Sequence, residues 1–143
     1  MREVLSAAES NSILAKQRLN RPTSPHLSIY KPQVTWILSI TNRITGGILS
    51  AGFYVFGLAY LAAPVLGLHL DSASLVAAFA SWPVLAKVAA KFAVALPFTF
   101  HSFNGIRHFA WDAGKSFKNK VVIRTGWFVV GISVASALGL SIM

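Results

Sequence analysis

The 27 residues from Ile44 to Leu70 contain no Asp, Glu, Lys or Arg. That exceeds the roughly 20 apolar residues an α-helix needs to cross the hydrocarbon of a bilayer. Two more such stretches follow. One opens at Trp82-Pro83 and runs to about His108, and the other holds 19 uncharged residues from Thr125 to Met143. Only 12% of the 143 residues are charged, against 55% hydrophobic, about half the charged share of an average soluble domain. The pattern predicts an all-α integral membrane chain with three spanning helices, at about 35–63, 82–108 and 122–142, together one domain (34–143).

Tyr30 and Trp36 mark one membrane interface, and Arg124 with Trp127 marks the start of the third span. Gly46, Gly47, Gly52 and Gly57 fall inside the first span; small residues let a neighbouring helix or a flat cofactor come close, and plain helix packing is the favoured reading for each one singly. Residues 64–82 read as a connection with Asp71 as its only charge. Lys87 and Lys91 lie four apart near the start of the second span, where they can snorkel to headgroups. Pro97 predicts a kink, tolerable inside a bundle.

Residues 1–33 are a separate polar segment. Ser10 to Arg18 reads as a short amphipathic helix stopped by Arg21-Pro22. Three prolines among residues 21–32 then call for an extended, non-helical approach to the membrane. Glu3 and Glu9 fit poorly with an Arg-rich transit peptide, so any presequence is expected to have been removed.

Three spans put the amino terminus and the second connection on one side. That side carries Lys16, Arg18, Arg21, Lys31, Arg107, Lys115, Lys118, Lys120 and Arg124, whereas the connection at 64–82 has no Lys or Arg. The positive-inside rule therefore places the amino terminus in the cytoplasm or the mitochondrial matrix. The net charge of +9 is then a matter of topology and anionic lipid headgroups, not of nucleic acid. Cysteine is absent, which excludes disulfides, thiolate metal sites and iron–sulfur ligation by this chain. No hydrolase triad, carboxylate pair or phosphate loop occurs, so no substrate chemistry is expected within it.

Two constellations stand out. His101-Ser-Phe-Asn-Gly-Ile-Arg107-His108 with Asp112 puts two histidines, an arginine and an acid within about three helical turns. Ionisable groups inside a membrane segment usually face a protein interior and bind something. His101 lies about 9 Å deeper than Arg107, and the reading is that it ligates a haem iron; a hydrogen-bonded core histidine is the plainer alternative. His101 and His108 share one helix face about 10 Å apart, so they cannot bind one iron from opposite sides, and a second ligand must come from a partner subunit. Arg107 could receive a haem propionate or only serve the charge bias, and His108 could pair with Asp112. The other constellation is Ser39-Ile-Thr-Asn-Arg43, a hydroxyl and a guanidinium on one helix face. They could hydrogen-bond the carbonyl of an apolar quinone. Alternatively, Arg43 snorkels to lipid phosphate and Ser39 bonds back to its own helix.

Ser24-Pro-His-Leu-Ser-Ile-Tyr30, Ser39-Ile-Thr-Asn-Arg-Ile-Thr-Gly46 and His101-Ser-Phe-Asn-Gly-Ile-Arg-His108 with Asp112 occur in order at three-helix spacing. Over residues 20–143 the chain resembles the large cytochrome b membrane anchors (b560 type) of succinate dehydrogenase, respiratory complex II. Arg21-Pro and Tyr30-Lys-Pro-Gln are most similar to mitochondrial members, fungal ones among them, with alphaproteobacterial members close. The resemblance implies a non-catalytic anchor in the mitochondrial inner membrane or, alternatively, a bacterial inner membrane. Its expected partners are a flavoprotein, an iron–sulfur subunit and a small cytochrome b anchor, with which it forms a haem-binding heterodimeric bundle. It also implies haem b held by His101 and a ligand from the small anchor, with Arg107 and His108 as propionate or neighbouring contacts. Ubiquinone is implied at Ser39 and Arg43, with Trp36 and Ile40 as candidate wall residues. The basic stretch 107–124 and the Pro-rich segment 21–33 become docking candidates. A purely structural anchor and a quinol:fumarate reductase anchor are the competing readings.

Overall fold

The computed structural model describes residues 4–143; Glu3 lies outside them. Five helices follow in order: α1 (Ala7–Leu19), α2 (Val34–Ala62), α3 (Ser72–Ala80), α4 (Val84–Asp112) and α5 (Asn119–Ile142). They fall into two compact units, Met1–Lys31 and Pro32–Met143.

In the first unit α1 starts at Ala7, three residues ahead of the expected start, because Ser6 and Glu9 form a capping box. The Glu9 amide donates to Ser6 Oγ (3.3 Å) and the Ser6 amide to Glu9 Oε2 (2.9 Å). The Ser6 hydroxyl, which donates to Glu9 Oε2 (2.6 Å), and then the Ser6 amide hold the Glu9 carboxyl below its ordinary range. The expected amphipathic character is not found. Ala7, Ala8, Ile13, Leu14 and Leu19 scatter around the circumference at 100° per residue, and none is buried. The Pro-rich stretch that follows makes bends and turns rather than helix, as proline requires.

In the second unit α2, α4 and α5 have 29, 29 and 24 residues, each long and apolar enough to span a membrane. Two features depart from the sequence reading. First, α4 continues a full turn past His108 to Asp112. It ends in a Schellman turn at Gly114 (φ 73°), with Gly114 N donating to Trp111 O (2.8 Å) and Lys115 N to Ala110 O (2.9 Å). Second, the connection holds α3. Asp71 caps it, accepting from the Ser74 amide (2.9 Å) and the Ser74 hydroxyl (2.9 Å). At its other end Lys87 Nζ donates to Ala80 O (3.2 Å), a cation on a helix carboxyl end. Lys87 thus binds protein, where the sequence reading assigned it only to headgroups.

α4 packs against both α2 and α5. Gly126, Val129, Ser133, Ala137 and Ser141 are buried at three- and four-residue intervals on α5, and small residues there permit close approach. Thr99 Oγ1 of α4 donates to Ser133 O across that seam (3.0 Å). Leu38, Phe100 and Val129 form the apolar centre where the three helices meet. The burial pattern is inverted relative to a water-soluble domain. Thr45, Thr99, Asn104, Arg107, Ser133 and Ser141 are buried, while Phe53, Phe98 and Trp127 are exposed. With lipid as the solvent, apolar surface gains little by turning inward.

Two predictions follow from this packing. A Cβ on Gly126 would lie 2.8 Å from Leu38 Cδ1 and 3.1 Å from Val34 Cγ1, whereas one on Gly131 meets nothing within 4 Å. Gly126→Val should therefore destabilise the detergent-solubilised chain by about 1–3 kcal/mol, read as a lowered thermal midpoint, and Gly131→Val should not. The Ser74 bonds also hold the Asp71 carboxyl below its ordinary range. A depressed folded-state pKa makes the cap fully effective above the ordinary carboxylate pKa and weakens it as pH falls through the depressed value. Hydrogen exchange at the Ser74 amide should accordingly show acid-dependent loss of protection in the native chain, absent in Asp71→Asn.

Candidate functional site

His101, half-buried on α4, lays its imidazole across α2. Its Nδ1 is 3.0 Å from the Asn42 carbonyl oxygen and 3.4 Å from Thr45 Oγ1. The Thr45 hydroxyl already donates to Thr41 O (2.9 Å) and Asn42 O (3.1 Å), so toward the ring it can only accept. Both neighbours of Nδ1 are therefore acceptors. That assigns the ring proton to Nδ1 and leaves the lone pair on Nε2. A histidine oriented by a carbonyl behind Nδ1 is arranged as metal-ligating histidines are.

The ring fits because position 46 lacks a side chain. A Cβ on Gly46 would fall 2.6 Å from His101 Cε1, 3.2 Å from Nδ1 and 3.4 Å from Nε2. Gly47, Gly52 and Gly57 have nothing within 4 Å of such a Cβ, so of the glycines in this span only Gly46 makes a close approach within the chain. Farther along α2, Gly52, Phe53, Phe56, Val94 and Pro97 help line an apolar hollow of about 340 Å³, which the His101 ring does not itself line. Pro97 sits one helical turn before His101.

The rest of the motif divides among different faces of α4. His108 shares His101's face, and its Nδ1 bonds the Asn104 carbonyl oxygen one turn back (2.7 Å). Its ring meets Trp111 edge-on, with centroids 4.7 Å apart. Arg107 is turned about 120° from His101 and points to α5. Its Nε donates to Thr125 Oγ1 (3.1 Å), its Nη2 to Val122 O (2.7 Å) and its Nη1 to Asn104 Oδ1 (3.1 Å), and the guanidinium carbon lies 4.3 Å from the Trp111 ring centroid. The structure therefore does not bring Arg107 and His101 together. Arg107 ties α4 to the first turns of α5, and Asn104, fully buried, is one of its anchors.

On α2, Ser39 is half-buried and Trp36, Ile40 and Arg43 are exposed. Ser39 and Gly46 are seven residues apart, two turns on one face. Ser39 and the ring of His101 thus lie on one face of α2, with Ser39 about 10 Å and Arg43 about 4.5 Å along the axis from Gly46. The sequence reading missed Asn42, Thr45 and Gly46 as neighbours of the histidine. Their spacing of three and four after Asn42 was the available signal, since it places all three on one stripe. Among the described residues Asn42 Oδ1 is buried without a hydrogen-bond partner, as are Asn104 Nδ2 and Trp111 Nε1. Arg107→Lys cannot reproduce the guanidinium fork and strands at least one buried acceptor; it should lower thermal stability by about 1–3 kcal/mol, measured on the solubilised chain.

Residues 17–140 match the family model described as succinate dehydrogenase/fumarate reductase transmembrane subunit. A Schizosaccharomyces pombe protein, succinate dehydrogenase cytochrome B subunit, mitochondrial, is 47% identical over 94% of this chain and 75% of its own. Human succinate dehydrogenase cytochrome b560 subunit, mitochondrial, is 40% identical over 87% of this chain and 72% of its own. A Saccharomyces cerevisiae relative, mitochondrial inner membrane protein SHH3, is 36% identical over 90% of this chain and 66% of its own. With most of its length matched and its three apolar helices in place, the chain belongs to the succinate dehydrogenase/fumarate reductase transmembrane subunits, the non-catalytic membrane anchors of that enzyme.

Proposed function

We propose that the chain binds haem b and helps form the ubiquinone-reduction site of succinate:ubiquinone oxidoreductase in the mitochondrial inner membrane, with its amino terminus in the matrix. The observation that carries this reading is the tautomer of His101, whose Nδ1 faces two acceptors and whose Nε2 keeps its lone pair. The residues present fit the group. A neutral imidazole is a suitable iron ligand, and Gly46 leaves room for the ring. Haem b supplies one-electron transfer when bound. His101 Nε2 would hold the haem iron, with a second ligand coming from the small cytochrome b anchor subunit. His108, on His101's face, is the better placed of the two basic candidates for a propionate, because Arg107 is engaged with α5.

Ser39 and Arg43 take the quinone head in this reading, the guanidinium and hydroxyl donating to its carbonyl oxygen, with Trp36 and Ile40 as flanking walls. A charged donor is suited to an oxygen that gains negative charge as electrons arrive. The electrons come from succinate through the flavoprotein and iron–sulfur subunits, which dock on the basic side. Lys115, Lys118 and Lys120 of the α4–α5 connection are exposed and available to that interface. The family description also covers fumarate reductase; the named succinate dehydrogenase relatives favour succinate oxidation as the direction.

The test is a dithionite-reduced minus oxidised spectrum of the purified complex. A b-type band present in the wild type and lost in His101→Ala, with all subunits retained, is the expected result. An unchanged band would remove His101 as the ligand. Arg43→Ala should lower quinone reduction by about 10–100-fold, the equivalent of one charged hydrogen bond, while succinate oxidation with a soluble dye acceptor stays intact. Undiminished quinone reduction would leave the chain a structural anchor.

A further inference from the structure

We propose that Gly46 is a positioning residue for His101: the bare Cα of α2 at this position sets the plane of the imidazole and keeps Nδ1 on the Asn42 carbonyl. The inference rests on the haem reading above but concerns the ring itself.

Three observations meet at this point. A Cβ at Gly46 would encounter Cε1, Nδ1 and Nε2 of the ring at 2.6, 3.2 and 3.4 Å. The encroachment therefore runs along one edge of the imidazole and is closest at Cε1, the atom between the two nitrogens. The ring cannot slide along the helix to escape, because Nδ1 is fixed by Asn42 O at 3.0 Å and flanked by Thr45 Oγ1 at 3.4 Å. The imidazole is also short, with its backbone committed to α4, so it lacks the slack of a long flexible side chain. A methyl group at position 46 must turn the ring off its acceptor or push α2 away from α4. Either movement removes the carbonyl that makes Nε2 a stronger donor, and loss of such a supporting contact typically weakens metal binding about 10–100-fold.

The adjacent glycine provides the control. A Cβ on Gly47 meets nothing within 4 Å. Gly46→Ala and Gly47→Ala make the same chemical change in the same helix and gain the same helical propensity. Only the first touches the histidine.

The experiment compares wild type, Gly46→Ala, Gly47→Ala and His101→Gln in the assembled complex, with two readouts. The first is haem content and the low-spin spectrum relative to total protein. The second is the ¹⁵N spectrum of histidine-labelled chain in haem-depleted complex, in which the signal absent from His101→Gln reports which ring nitrogen of His101 carries the proton. The expected result is a protonated Nδ1 and full haem in wild type and Gly47→Ala. In Gly46→Ala the Nδ1 signal moves and haem retention falls about 10–100-fold with the subunits still assembled. A Gly46→Ala complex with the wild-type ¹⁵N signal overturns the proposal, as does one in which Gly47→Ala is equally affected. If His101→Gln leaves the haem band intact, the haem assignment fails, while the ¹⁵N comparison still decides whether Gly46 sets the ring.

Discussion

Hydrogen-bond satisfaction without water is the constraint on which this structure depends. In a bilayer every polar group must find its partner in protein, and the second unit shows where those partners lie. Thr41, Thr45, Thr99, Ser102, Thr125, Ser133 and Ser141 all donate to backbone carbonyls of their own helices. Side chains that reach across the three spanning helices define the assembly: Thr99 to Ser133, His101 to Asn42, and Arg107 to Thr125 and Val122. Apolar packing supports these contacts but cannot specify them, because a leucine meets lipid about as well as it meets another helix.

The close approaches serve the same end. Gly126 lets Leu38 and Val34 of α2 settle against α5, and Gly46 lets His101 of α4 settle against α2. Each of these glycines lies where a polar group must come within bonding distance of another helix. Arg107 passes near Gly126, 3.6 Å from where its Cβ would be. Among the cross-helix polar contacts of α4, that of His101 is the one that depends on a missing side chain on the facing helix, since a Cβ on Gly126 would stand at ordinary contact distance from Arg107.

The three spans were legible because each is long and predominantly apolar, the first and third without a charge for about 20 residues and the second with Lys87 and Lys91 confined to its first turns, a signal that needs no tertiary context. His101 was legible as chemistry for the same reason, since an ionisable group inside such a segment requires explanation. What the sequence concealed was direction. Arg107 and His108 are neighbours in the motif, yet helical rotation sends one toward α5 and leaves the other on the face of His101. α3 was hidden because it is short and as apolar as its surroundings, with only Asp71 and the following Ser74 to mark its start. Reading Ser10–Arg18 as amphipathic failed for a different reason: apolar residues were present, but their spacing makes no stripe. The extra turn of α4 was written in Gly114, whose positive φ closes the helix.

The carbonyl that receives His101 Nδ1 belongs to Asn42, and the nitrogen bonded to that same carbonyl carbon is the amide of Arg43. A peptide group is planar and stiff, so these two atoms move as one plate. Any tilt of the backbone at Arg43 swings the Asn42 oxygen against the imidazole, with no intervening side chain to absorb it. The two candidate centres of this chain are thus joined by a single amide, a mechanical linkage shorter than any path through packed side chains.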